Sequence, residues 1–188
     1  MLDPGELLYA YSQGYFPMAV PEDDNEIFWF KPDMRGIIPL DEFHLSKNLK
    51  RLYKKNYFDL RINYDFEGTI RGCADRNDTW ISEEIIHTYS KLKEMGYAFS
   101  FETWREDELV GGLYGVSIGK AFFGESMFHK ETDASKIALV YLVDFLKRHD
   151  YKLLDTQYLN NHLLQFGAKE VPNELYEEML ANAISSQD

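Results

Sequence analysis

Residues 112–128 are G-L-Y-G-V-S-I-G-K-A-F-F-G-E-S-M-F, which reads as two glycine-punctuated β-strands. One side chain is out of place there: Glu125 sits among Phe122, Phe123, Met127 and Phe128. An unpaired charge in such surroundings is costly, so this carboxylate is either paired within the fold or kept for chemistry and recognition. Upstream, A-F-S-F-E-T-W at 98–104 and the charged turn R-E-D-E supply another strand, which gives a central antiparallel meander. Downstream, D-A-S-K-I-A-L-V-Y-L-V-D-F-L-K-R at 133–148 is apolar on nearly every side, the mark of a buried helix. Y-K-L-L-D-T-Q-Y-L at 151–159 is the strand that follows it.

Further out, D-P-G-E-L-L-Y-A-Y-S-Q at 3–13 predicts a short helix with Pro4 in its first turn and Gly14 as its stop. P-M-A-V-P-E-D-D-N-E at 17–26 reads as a proline-bracketed acidic connection, and I-F-W-F and R-G-I-I-P-L as extended segments. Y-F-D-L-R-I-N-Y alternates as a half-buried strand does, and a helix is expected around Phe66 to Ala74. S-E-E-I-I-H-T-Y-S-K-L-K-E-M-G has a Ser82 N-cap, Ile85, Tyr89 and Leu92 on one face, and Gly96 as terminator. N-N-H-L-L-Q-F-G and P-N-E-L-Y-E-E-M-L read as helical. The fold class is thus α/β (α+β), a mixed, mainly antiparallel sheet flanked by helices, with a short N-terminal arm at 1–33 ahead of the main domain at 34–188.

The chain has 188 residues and is 45% hydrophobic, enough for one substantial core. It begins without a signal-peptide pattern and has no run long and apolar enough to span a bilayer. A single cysteine, Cys73, cannot form an internal disulfide; together these features predict a cytoplasmic protein without membrane attachment. A net charge of −12 argues against a surface that coats nucleic acid throughout. The exception is local. In S-K-N-L-K-R-L-Y-K-K-N, residues Lys47, Lys50, Arg51, Lys54 and Lys55 share one helical face opposite an apolar stripe of Leu45, Leu49 and Leu52. A charge run of this kind is commonly a solvated face, but a one-signed face on an acidic chain suits phosphate contact. Asp155 and Gln157, two apart on a strand, are expected to point to the same side.

The element order from Arg35, ending in strand, buried helix and strand, resembles the GNAT-type acyltransferase fold. The junction H-K-E-T-D-A-S-K has no glycine to let a pyrophosphate approach backbone N–H groups, so coenzyme A is not expected. The stretch G-E-S-M-F-H-K-E-T-D-A-S-K-I-A-L resembles the leucyl/phenylalanyl-tRNA–protein transferase family, GNAT-like enzymes that move an amino acid from aminoacyl-tRNA to a protein's N-terminus. The likeness extends to L-L-Y-A-Y-S-Q-G-Y-F-P, W-F-K-P-D-M-R-G-I-I-P-L, F-H-L-S-K-N-L-K-R, G-C-A-D-R-N-D-T-W-I, W-R-E-D-E-L-V-G-G-L-Y-G-V and D-T-Q-Y-L-N-N-H-L-L-Q-F-G-A. Ordered blocks of this kind are more specific than any lone motif.

That resemblance implies a catalytic centre of Glu125, Asp155 and Gln157, in which Gln157 holds the incoming amine, Asp155 polarises or accepts through it, and Glu125 recognises substrate amino groups. It implies that Trp80 stacks on the terminal adenosine of tRNA and that the basic helix binds the tRNA body. Leu113, Phe122, Met127 and Leu142 are candidates for a donor side-chain pocket, though each alone also reads as core. The family commonly has an aromatic residue where this chain has Met18, which leaves Tyr11 or Trp29 to supply the second stacking wall. Family members often have a longer N-terminal lobe, so a smaller tRNA footprint is expected. His129 reads as a surface histidine. The implied activity is transfer of Leu or Phe, with Met as a further donor, from aminoacyl-tRNA to acceptors bearing N-terminal Arg or Lys, in the N-end-rule degradation route, by a monomer without cofactor or metal. A related transferase with a different acceptor and a catalytically silent tRNA-binding module are the competing readings.

Overall fold

The structure, a computed structural model, describes residues 1–186. Helix α1 (Pro4–Ser12) starts where Asp3 accepts from the Glu6 amide, and the chain turns away at Gly14, whose φ of 83° is left-handed. The acidic connection is more structured than its composition implies. Phe16–Val20 forms β1, paired antiparallel with β2 (Glu26–Phe30) in a two-stranded ribbon, where Pro17 is tolerated because no other strand among the described residues pairs with the far edge of β1. β3 (Met34–Ile37) precedes α2 (Lys47–Lys54), which Ser46 caps by accepting from the Leu49 amide. After β4 (Asp59–Ile62) come α3 (Phe66–Ala74) and α4 (Glu83–Glu94), the latter capped by Ser82 and burying Ile85, Tyr89 and Leu92 as its spacing predicts.

The meander is β5 (Ala98–Arg105), β6 (Glu108–Ile118) and β7 (Ala121–His129). The buried helix α5 (Ala134–Arg148) leads to β8 (Leu153–Gln157), followed by α6 (Asn161–Leu164), β9 (Lys169–Pro172) and α7 (Asn173–Ser185). β9 is a strand that sequence pattern does not reveal: it has four residues, and only Val171 is buried. The sheet order is β4-β5-β6-β7-β8-β3-β9, and every pairing is antiparallel except β7 with β8. Meander, buried helix and parallel strand reproduce the GNAT-like order. Helices cover both faces. One core cluster contains Leu7, Tyr11, Ile85, Tyr89, Phe123 and Tyr176, and the other gathers Leu49, Leu142, Leu154, Leu163 and Phe166.

Two irregularities open this sheet. In the β6/β7 ladder Tyr114 pairs with Ser126 while Gly115 pairs with Gly124, so Glu125 is the extra residue of a bulge, which re-aims its side chain. Gly115 permits the bulge: a Cβ there would lie 2.3 Å from the Phe123 carbonyl oxygen. The parallel β7/β8 ladder ends at Phe123 and Asp155, although both strands continue. Where they part, residues beyond the ladder form the walls of a cleft. No helix among the described residues is long and apolar enough to cross a membrane.

Candidate active site

The cleft is a cavity of about 300 Å³. β7 contributes Gly124, Glu125, Ser126 and Met127; β8 and the turn after it contribute Leu154, Thr156, Gln157, Tyr158 and Asn160. Leu113 of β6, Leu139 and Leu142 of α5 and Leu163 of α6 make one end apolar, while Met18, Arg76 and Trp80 complete the rim. Glu125, Gln157, Trp80, Leu113, Met127 and Leu142, all singled out in the sequence, thus share one wall system. Leu139, Leu154 and Leu163 are indistinguishable in sequence from ordinary core residues.

Glu125 answers its own puzzle by being partnered. Its carboxylate accepts from the Tyr11 hydroxyl, which is also bonded to the Tyr89 hydroxyl, and from Gln157 Nε2 at 3.1 Å to each oxygen. Burial raises the Glu125 carboxyl to about 7, against the opposing pull of the hydrogen bonds from Tyr11 and Gln157. The side chain is half-buried, with part of its surface open to the cavity. A carboxyl so poised can give or take a proton near neutral pH. Burial likewise pushes the hydroxyls of Tyr11 and Tyr89 well above the usual tyrosine range, so both stay protonated donors.

Asp155 and Gln157 meet differently from the expectation of one shared face. Leu154 and Thr156 line the cavity, so Asp155 points away from it, fully buried. Arg35 donates to it twice, Nε to Oδ1 at 3.0 Å and Nη2 to Oδ2 at 2.6 Å. The Tyr176 hydroxyl donates to Oδ2 at 2.6 Å. Gln157 reaches the cavity because its backbone leaves extended geometry, with φ at 64°, a region uncommon for residues other than glycine. Asp155 holds that turn by accepting from the Gln157 backbone amide at 2.7 Å, while the carboxamide turns to Glu125. The link between the two residues therefore runs through the main chain. Gly36 makes room for the turn, since a Cβ there would meet Thr156 Oγ1 at 2.7 Å and the Tyr158 backbone at 2.8 Å.

Three further expectations need correction. Tyr11 is 0% exposed, its ring against Phe123 at 4.9 Å, so it offers no face for stacking and instead supports Glu125 from behind. Phe122 faces the α5 side, against Phe101, and does not line the cavity. Trp29 is 41% exposed on the β1–β2 ribbon and is also absent from the walls, where Met18 stands instead. Arg35 and Tyr176 were missed. A charged residue opening the apolar run R-G-I-I-P-L was a usable signal for the first; Tyr176 reads as an ordinary core aromatic.

On α2 and its C-cap, Lys47, Lys50, Arg51, Lys54 and Lys55 are all exposed, and among the described residues none is in an ion pair with an acid. His129 is exposed at the end of β7. No group of three or more His, Cys, Asp or Glu side chains among the described residues could hold a metal ion.

Among solved structures, the fold is similar to that of L-PGS from Bacillus licheniformis, with 12% identity and a TM-score of 0.48 over 98% of this chain and 71% of that one. A functionally unknown conserved protein from Staphylococcus epidermidis is similar at 11% identity and a TM-score of 0.45, over 92% of this chain and 65% of that one. The C-terminal domain of a putative lysylphosphatidylglycerol synthetase from Agrobacterium fabrum follows at 9% and 0.47, over 96% of this chain and 57% of that one. This chain thus spans less than two thirds of the last two, and none of the three bears on its chemistry. The sequence model of the leucyl/phenylalanyl-tRNA protein transferase matches residues 37–181, and that of the same enzyme's N-terminal domain matches residues 1–33. The chain belongs to the leucyl/phenylalanyl-tRNA protein transferase family and is an aminoacyltransferase.

Proposed function

We propose that this enzyme moves Leu or Phe, with Met as a further donor, from aminoacyl-tRNA to the N-terminal α-amine of proteins that start with Arg or Lys, committing them to N-end-rule degradation in the cytoplasm. The observation that carries this reading is the polarity of the cleft: an apolar end built from Leu113, Met127, Leu139 and Leu142, and a polar end where Gln157 donates to Glu125. The donor side chain occupies the apolar end and its ester carbonyl lies beside Gln157. Trp80 at the rim stacks on the terminal adenosine, a contact worth about 1–3 kcal/mol. Residues 1–33 act as an N-terminal lobe, residues 34–188 as the catalytic domain, and the exposed cations of α2 bind tRNA phosphates without reading sequence. The protein works as a monomer.

An aminoacyl ester is already activated, so the acceptor amine needs position and the loss of a proton. In the proposed reaction the acceptor arrives as an ammonium ion drawn to Glu125, which takes one proton from it. The neutral amine, held by an N–H bond to Gln157 Oε1, attacks the ester carbonyl. The C–N bond forms, the bond to the ribose oxygen breaks, and the second amine proton ends on that oxygen. Asp155 contributes by fixing Gln157. The test is transfer of labelled Leu, Phe, Asp or Arg from charged tRNA to peptides of defined N-terminus. Label from Leu or Phe on Arg- and Lys-starting peptides alone is expected; transfer to Asp-starting peptides at the same rate would overturn the acceptor assignment.

A further inference from the structure

We propose that Arg35 and Tyr176 are positioning residues of the transfer centre, setting the Gln157 carboxamide through Asp155. This rests on the proposed part of Gln157 in holding the amine.

The hydrogen bonding of Asp155 is saturated. Oδ1 accepts from Arg35 Nε at 3.0 Å and the Gln157 backbone amide at 2.7 Å; Oδ2 accepts from Arg35 Nη2 at 2.6 Å and the Tyr176 hydroxyl at 2.6 Å. A carboxylate has about four lone-pair sites, so this one has nothing left for a substrate proton. Both charges are fully buried, at 0% exposure, and a buried ion pair contributes little net stability because its desolvation offsets its attraction. What the pair does deliver is geometry. Three fixed donors orient the carboxylate, and the carboxylate in turn caps the Gln157 amide, the bond that holds a non-glycine residue at φ 64°. Without that turn Gln157 would continue along β8 and leave Glu125.

The donors are themselves fixed. The Arg35 guanidinium lies 4.7 Å from the Phe16 ring centroid and 4.4 Å from that of Tyr176, and its Nη1 donates to the Gly14 carbonyl at 2.6 Å. Gly14 and Phe16 belong to the N-terminal segment, so the seating of that segment reaches the centre through Arg35. Tyr176 is fully buried on α7 and keeps its proton, because burial pushes the hydroxyl well above its ordinary range.

Tyr176→Phe keeps the ring over Arg35 and removes one donor to Asp155, which makes it the main test; Arg35→Lys, unable to form the double contact, is the second. Tyr176→Phe should lower kcat for transfer about tenfold with donor-tRNA affinity unchanged, since small misplacements of a reacting group are expensive. Placed in a Gln157→Ala background, the same change should alter the residual transfer rate less than about twofold while lowering Tm as much as in the wild type. Unchanged kcat per folded molecule, or equal losses in both backgrounds, would overturn the positioning role. If Gln157→Ala alone retains full transfer, the reading of Gln157 fails and the route through it fails too. Loss in Gln157→Ala without loss in either Tyr176→Phe or Arg35→Lys overturns only the present proposal.

Discussion

Replacing Glu125 with Gln keeps the shape of the side chain and removes its titration. In the folded protein burial raises this carboxyl from 4.5 to about 7. The sign follows from proton binding: between those values the native state holds more protons at this site than the unfolded chain does, so stability falls as pH rises through that window. Below about 4.5 the wild type carries no penalty from Glu125; above about 7 it carries all of it. At 1.36 kcal/mol per pKa unit the full penalty is about 3 kcal/mol, an upper bound because the half-open cleft admits water that screens the charge. The Gln variant has no such slope. Its carbonyl can still accept from Tyr11, and Gln157 can rotate its amide to face the new one, so few hydrogen bonds are lost. Unfolding free energies from urea titrations, measured on both proteins between about pH 4.5 and 8, should diverge in favour of the variant by up to about 3 kcal/mol, because other titrating groups cancel in the difference. Transfer should fall sharply in the same variant. Parallel stability curves across that range would refute the raised carboxyl and, with it, Glu125 as the proton acceptor.

Neutralising Lys47, Arg51, Lys54 and Lys55 together should weaken binding to all tRNAs alike and reduce the slope of log K against log salt by about three, read by filter binding at several ionic strengths. An unchanged slope would return α2 to a solvated face. Cys73, whose thiol burial pushes up to about 12, should resist alkylation by iodoacetamide in the folded protein and react only on denaturation, as mass spectrometry would show. Leu142→Ala, at a position 1% exposed, should cost about 2–5 kcal/mol of stability and shift donor preference from Leu toward the larger Phe. The proposed preference for Arg- over Asp-starting peptides should narrow as ionic strength rises, since a net charge of −12 attracts the former at long range.

Sequence pattern was sufficient wherever one side chain type carried one physical message. Ser46 and Ser82 stand where capping hydroxyls are needed, Gly14 and Gly96 have left-handed φ of 83° and 84°, and the all-round apolar segment became α5. It was insufficient where tertiary partners decide. β1 contains a proline and borders an acidic turn, and only its pairing with β2 makes it a strand. Alternation put Asp155 and Gln157 on one face because it assumes extended backbone, and the left-handed turn at Gln157 breaks that assumption. Tyr11 looked like a stacking aromatic because hydrophobicity does not say which side of a wall a ring occupies; the Glu125 bond puts it behind. Glu125, Gln157 and Trp80, which share the cleft, were legible as residue types within sequence blocks, whereas Arg35 and Tyr176 became visible only once β3, β8 and α7 met.

The economy of the centre follows from its substrate. A reaction that begins from an activated ester has no need of a nucleophilic side chain, and the buried thiol of Cys73 lies outside the walls of the main cleft. What the reaction does need is a place where an apolar side chain, an ester and an amine can be held together, and a sheet with a continuous ladder has no such place. In the proposed site, ending the β7/β8 pairing at Phe123 and Asp155 supplies it. The bulge then turns Glu125 into the opening, and the Asp155-capped turn brings Gln157 to meet it at 3.1 Å. Each of these departures from regular β-structure is locally unfavourable, and each is held by a specific compensation: Gly115 and Gly36 admit close backbone contact, and the Arg35–Asp155–Tyr176 network fixes the turn. The irregularities and their supports therefore form one unit, in which removing a support should be felt at the centre before it is felt in the fold.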